Sequence, residues 1–182
     1  MSITQKKRAR IISAAYKQWD VTGKRVLDVG CGNGIVAKLL AQELSLDIWG
    51  TDVLDYRKTD LPFKIMPDEM SLPFDDLSFD YVMYNDVLHH VRDPESLIRE
   101  GKRVGKRLLV FEDRETFLLK IVDIGLNLFY STQMACPLNF KTREEWCRVF
   151  KKAKLGYETG NILYPAWYPF RHEAFILTPE VD

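Results

Sequence analysis

Three glycines at alternate positions, Gly30, Gly32 and Gly34, close an apolar run from Val26 to Val29 that carries one acid, Asp28. Glycine tolerates positive φ and has no Cβ, so such a turn lets a ligand lie against bare backbone. Ile35, Val36, Leu39 and Leu40 follow at helical spacing. The turn therefore joins a buried strand to a helix N-terminus, whose first N–H groups have no partner inside the helix. Dinucleotide-binding turns read Gly-x-Gly-x-x-Gly; here the third glycine comes one residue early, and position 35 is Ile. A carboxylate at Asp28 would repel a pyrophosphate and suits a ligand with a cationic group. A second acid, Asp52, ends the next apolar stretch, eighteen positions beyond Gly34. A carboxylate there would accept hydrogen bonds from both hydroxyls of a ribose; the alternative is a solvated strand-end acid. On either reading Asp52 is expected outside the core.

The elements that must position these residues alternate along the chain. A first helix is expected over Thr4 to Trp19, and the glycine-turn strand and its helix follow. Further strands are expected at Asp47 to Val53, Phe63 to Met66, Asp80 to Tyr84 and Arg107 to Glu112. Asp93-Pro94-Glu95 has the chemistry of a helix start: a capping acid, a proline at the first helical position and a charge suited to the positive end. Thr142-Arg143-Glu144-Glu145 matches a capping box. Two last strands, Glu158 to Tyr164 and Glu173 to Thr178, joined by a short loop, would pair antiparallel. Alternating strands and helices predict an α/β fold, a mostly parallel sheet with helices on both faces.

Length and composition narrow the classes. The 182 residues suffice for one domain with a real core. Lysine plus arginine and aspartate plus glutamate balance at 26 each, so no net field favours nucleic acid. There is no apolar run of membrane-spanning length, and the first residues lack the apolar centre of a signal peptide. Cys31, Cys136 and Cys147 show no metal-ligand spacing, so no metal is expected; their odd number suits a reducing compartment, and the expected location is cytoplasmic.

The glycine turn with its acidic strand end resembles motif I of the class I S-adenosylmethionine-dependent methyltransferases. Leu72-Pro73-Phe74-Asp75-Asp76-Leu77-Ser78-Phe79-Asp80, preceded by Asp68, is similar to the LPF…SFD segment of small methyltransferases, and Asp86-Val87-Leu88-His89-His90-Val91 carries the Leu-His-His that the family often shows. The resemblance runs from about Arg25 to Glu112. It departs at Arg103-Val104-Gly105-Lys106-Arg107, where the family has a Gly-Gly turn. It implies a Rossmann-like, seven-stranded, mostly parallel sheet with an antiparallel last strand, and S-adenosyl-L-methionine as cofactor. Asp28, Gly30, Cys31, Gly32 and Gly34 would form the cofactor turn. Asp52 and Val53 would meet the ribose, Asp68 and Glu69 the adenine, and Asn85 the methionine part, with Leu72-Pro73-Phe74 packing beneath the adenine.

The methyl of that cofactor sits on a sulfonium and is already activated, so alignment of an acceptor supplies much of the acceleration. A base is needed for a hydroxyl or a protonated amine. His89 and His90 are the candidates, with His172 the remaining histidine and Asp86 and Tyr84 weaker ones; packing or backbone capping is the competing role for the pair. The single domain divides into an N-terminal helix or lid (1–20), a cofactor core (25–112) and an acceptor-side insertion (113–141). Phe117 to Tyr130 reads as an apolar helix with a polar stripe of Lys120, Asp123 and Asn127, covering the sheet, roofing an acceptor pocket or making a dimer contact. Tyr16, Trp19, Phe129, Trp167 and Tyr168 would line an apolar pocket for a small acceptor, Tyr16 and Trp19 closing as a lid. Lys6-Lys7-Arg8-Arg10 and Lys151-Lys152-Lys154 permit an RNA acceptor, though the neutral net charge favours solvated helix faces for both clusters. A protein acceptor and a non-catalytic cofactor-binding partner or sensor also remain. The sequence leaves the oligomeric state open.

Overall fold

The computed structural model describes residues 3–114, 139–165, 168 and 171–180. A seven-stranded sheet has the order β3-β2-β1-β4-β5-β7-β6, built from β1 (Arg25–Val29), β2 (Asp47–Asp52), β3 (Phe63–Ile65), β4 (Phe79–Asn85), β5 (Gly105–Asp113), β6 (Leu155–Gly160) and β7 (His172–Pro179). β7 runs antiparallel to β5 and β6, and the other pairs are parallel. The expected fold class is therefore the observed one.

Alternation along the strands divides the core in two. Leu27, Val29, Val82, Tyr84, Leu108, Val110, Phe175 and Leu177 face α3 (Pro94–Val104) and α4 (Arg143–Lys152), packing with Leu97, Ile98, Trp146 and Phe150. Val26, Ile48, Tyr81, Met83, Leu109, Phe111 and Ile176 face α1 (Ile3–Tyr16) and α2 (Ile35–Leu44), packing with Ile12, Tyr16, Ala37 and Leu40. The caps form as their residue types require. The Asp93 side chain accepts from the Ser96 N–H at 3.1 Å with Pro94 behind it, and Thr142 and Glu145 close a reciprocal capping box.

Two boundaries differ from expectation. β6 spans Leu155–Gly160, because α4 ends at Ala153 and Lys154 turns the chain at φ 54. Ile162 and Tyr164 then pack against the α1 side of the core instead of extending the strand, so the link to β7 is a long one. α1 ends at Tyr16, and Gln18 leaves it to bond the Asn161 backbone, accepting at 2.8 Å and donating at 2.6 Å.

The strand order reverses between β1 and β4, each with its own crossover. In open α/β sheets that switch point leaves a crevice at the carboxyl ends of the strands. Gly30, Asp52 and Asn85 all stand at those ends.

Candidate functional site

The glycine turn is held from behind by β2. Gly30 and Cys31 donate N–H groups to the Thr51 carbonyl at 2.8 and 3.2 Å, and Gly32 donates to Asp52 Oδ2 at 2.9 Å. Gly30, Gly32 and Gly34 have φ of 68, 55 and 72°, the region that favours glycine. Their surroundings differ. A Cβ on Gly30 would meet Val87 Cγ2 at 2.3 Å and one on Gly34 would meet Thr59 Oγ1 at 2.5 Å, whereas one on Gly32 would find only Tyr56 at 3.9 Å. Gly30 and Gly34 are therefore glycines for packing. Gly32 is the one whose bare face looks into open space, where a ligand can approach the backbone.

Asp28 is buried, and its Oδ1 accepts from Asn85 Nδ2 at 2.9 Å. Asn85 is oriented in turn by Tyr16, whose hydroxyl donates to Asn85 Oδ1 at 2.7 Å. Burial pushes the Asp28 carboxyl up to about 7, against the Asn85 hydrogen bond and the Arg8 charge. A buried acid with one donor is poised to gain from a cationic ligand.

Asp52 is buried as well, contrary to its expected place outside the core, because the turn folds onto it. Its two oxygens accept from Gly32 and, at 2.8 Å, from Val53. Burial raises its pKa while these N–H groups oppose the shift. A carboxylate has about four acceptor positions, so capacity remains for ribose hydroxyls. Asp68 lies past β3 in a turn, accepting from Met70 N–H at 2.8 Å and Ser71 Oγ at 2.9 Å, which lower its pKa. Glu69 pairs with Arg92 at 2.9 Å. Leu54, two residues after Asp52, and Met70, two after Asp68, are exposed and offer apolar surface near these acids. Leu72 is buried and Phe74 packs edge-on against Trp49 and Phe79, so Leu72-Pro73-Phe74 is scaffold. Burial pushes the Cys31 thiol up, leaving a packing residue with no reactive thiolate.

The histidines separate into distinct roles. His89 is buried, with Nδ1 at 2.6 Å from Glu112 Oε2 and its ring stacked on Phe140. Glu112, wholly buried, also accepts from the Val87 and Leu88 N–H groups at 3.0 and 2.7 Å. Burial opposes charge on His89, but Glu112 outweighs it and the pKa is raised. This pair fixes the turn after β4. His90 is pushed down to about 4 by burial and then by the charges of His89 and Arg8, and its Nδ1 is buried without a hydrogen bond. It is neutral at ordinary pH, and a base that weak draws a proton from a hydroxyl inefficiently.

Tyr16 is not a lid. It is fully buried, and Trp19 packs over Gly160, where a Cβ would meet its ring at 2.9 Å. Gln5 and Arg8 of α1 instead reach the strand edge. Gln5 bonds Asn33 Oδ1 at 3.5 Å, and Arg8 pairs with Asp86 and donates to the Asn85 carbonyl at 3.3 Å. Tyr168 lies within 6 Å of Tyr164 and His172 in a stack with centroids at 5.8 and 5.9 Å. Phe129, Trp167, Lys120, Asp123, Asn127 and Cys136 lie outside the described residues, as does most of the expected insertion. The sequence reading missed the weight of Arg8, Glu112 and Asp113. The available signal was an acid pair, Glu112-Asp113, ending the apolar strand Leu108–Phe111, the same pattern as Asp28 and Asp52.

Residues 27–108 match the family described as methyltransferase domain. The 27-O-demethylrifamycin SV methyltransferase of Amycolatopsis mediterranei is 33% identical over 94 residues, covering 45% of this chain and 35% of that protein. The mitochondrial arginine-hydroxylase NDUFAF5 of Mus musculus is 38% identical over 73 residues, 37% of this chain and 21% of that protein. The chain thus spans half or less of the length of these relatives. The structure of magnesium protoporphyrin IX methyltransferase from Synechocystis with bound S-adenosylhomocysteine superposes with a TM-score of 0.61 at 18% identity, over 97% of this chain and 84% of that one. Residues 27–108 thus resemble the methyltransferase domain family, and the sheet has the fold of the class I S-adenosylmethionine-dependent methyltransferases.

Proposed function

We propose that the protein transfers a methyl group from S-adenosyl-L-methionine to a small, partly apolar acceptor. The observation that carries the reading is the buried Asp28 carboxyl, held by Asn85 at the end of the strand that leads into the glycine turn, where the face of Gly32 is open. A cofactor with a positive amino group and a sulfonium supplies the charge this acid lacks. Asp28 would hold that end, Asp52 the ribose, and Asp68 with Leu54 and Met70 the adenine. The bound cofactor supplies an activated methyl; the chain's residues fix its position and exclude water from it.

The small-acceptor reading is supported by the aromatic stack of Tyr164, Tyr168 and His172 and by the split of the two basic clusters. Lys6, Lys7 and Arg10 lie exposed on α1, and Lys151 and Lys152 on α4 across the sheet, so they form no single phosphate-binding stripe. Among the described residues no helix is long and apolar enough to cross a membrane.

Calorimetry tests the cofactor step: S-adenosylmethionine or S-adenosylhomocysteine should bind and NADH should not. Turnover with radiolabelled methyl donor and fractionated small-molecule extract tests the acceptor step, label in a low-mass product being the expected result. The identity to a protein named a hydroxylase favours a second reading, in which the same core binds the cofactor without transferring its methyl. Tight cofactor binding with no S-adenosylhomocysteine formed from any fraction would select it.

A further inference from the structure

Beyond the glycine turn, three side chains from different strand ends converge at the acceptor side. Asp86 follows β4, Asp113 ends β5 and His172 opens β7. His172 Nε2 lies 2.8 Å from Asp113 Oδ1 and 3.8 Å from Asp86 Oδ1, and one ligand atom from each lies within 4.8 Å of the others. Surface acids often gather without consequence, but here the side chains of Asp86 and His172 are only 10% and 3% exposed. Arg8 occupies Asp86 Oδ2, while Asp86 Oδ1 is buried and accepts no hydrogen bond. A buried carboxylate oxygen without a partner carries a desolvation cost that a bound cation would remove.

We propose that Asp86, Asp113 and His172 bind a divalent first-row metal ion of the Mn2+ or Zn2+ type. Metal–ligand distances of about 2.1 Å place neighbouring ligand atoms about 3.0–3.4 Å apart, and the observed separations bracket that range. Two carboxylate oxygens and one imidazole suit first-row ions better than calcium. Arg8 on the far oxygen of Asp86 would orient that ligand, as outer partners of metal-bound carboxylates do. Three protein ligands leave positions for water or an acceptor oxygen. Binding of the ion stands independently of methyl transfer; its role rests on that reading. An acceptor hydroxyl on the ion would release its proton to solvent at lower pH, which relieves His90 of a task its weak basicity suits poorly.

The test uses the whole chain, stripped with chelator and titrated with Co2+ by visible absorption and with Mn2+ by electron paramagnetic resonance. One saturable equivalent is expected, at micromolar affinity or tighter. His172→Gln and Asp113→Asn should each weaken it at least tenfold, and Asp60→Asn, whose residue pairs with Lys38 on the surface, should leave it unchanged. Circular dichroism reports whether the variants fold. Absence of saturable binding by the native chain below millimolar concentration overturns the proposal whatever the variants do, as does unchanged binding in both folded site variants. S-adenosylmethionine titrated into the same samples keeps this outcome separate from the cofactor reading.

Discussion

Asp28→Asn separates the cost of this acid from its use. In the free protein its carboxyl titrates at about 7, against about 3.9 in an unfolded chain. Between those values the folded chain holds a proton that the unfolded chain has released, so stability falls as pH climbs from about 4 to about 7. Asparagine keeps the shape and an oxygen for Asn85 and removes this pH dependence, so the variant should be at least as stable as the native chain at pH 8. Cofactor binding should move the other way. A hydrogen bond to a charged group contributes about 1.5–3 kcal/mol, which predicts a loss of roughly ten- to a hundredfold in affinity at pH 8. If the ligand requires ionised Asp28, native binding releases a proton from this group below its folded pKa and progressively less as pH rises above it. Calorimetry in buffers of different ionisation enthalpy counts those protons, and subtracting the Asp28→Asn titration removes the cofactor's own ionisation. Equal proton release and equal pH slopes in the two proteins would refute the assignment of Asp28 to the cationic end.

Asp52→Ala leaves the Gly32 and Val53 N–H groups without their acceptor and should cost at least about 1–3 kcal/mol of stability in urea unfolding as well as cofactor affinity; Asp52→Asn, keeping one acceptor oxygen, should hold stability better and still lose affinity. Gly32→Ala places a Cβ in open space at φ 55, so it should cost only about 1–2 kcal/mol of stability but bar the cofactor. Gly30→Ala, driven into Val87, should lower the unfolding midpoint further than Gly32→Ala. His89→Ala strands Glu112 without its buried partner and should destabilise by about 3 kcal/mol or more. His90→Ala removes a ring whose Nδ1 has no hydrogen bond; stability measured beside turnover distinguishes packing from proton transfer.

The strand, glycine turn and helix from Arg25 to Leu44 were legible because their signals are local. Three glycines and two acids sit within a strand, a turn and the next strand end, and the turn imposes positive φ that glycine alone adopts without strain. The capped starts of α3 and α4 were legible for the same reason. Asp52 was misjudged because its burial depends on the loop folding back over it, a tertiary event with no mark at position 52. Tyr16 was misjudged because an aromatic residue at a helix end looks the same whether it closes a pocket or fills a core. Asp86 and His172 were singled out as candidates, but their grouping with Asp113 could not be read: the members lie far apart in sequence, and Arg8 stands among exposed lysines. Only the placement of β7 beside β5 brings His172 to Asp113.

The matched family segment, residues 27–108, holds most of β1, all of β2 to β4, the first residues of β5 and most of the residues proposed to touch the cofactor. The far half of the edge is made by the end of β5, the start of β7 and α1. These halves are mechanically joined at Asn85. Its side chain holds Asp28 and receives Tyr16, and its carbonyl receives Arg8, which also holds Asp86. Asp28 and Asp86 are therefore linked by a continuous run of hydrogen bonds through Asn85 and Arg8. Coupling between two binding sites is reciprocal: if a ligand at the acid cluster changed cofactor affinity, cofactor would change that ligand's affinity by the same factor. On the proposed function, Asn85 is the residue through which the unmatched part of the chain would touch the cofactor site.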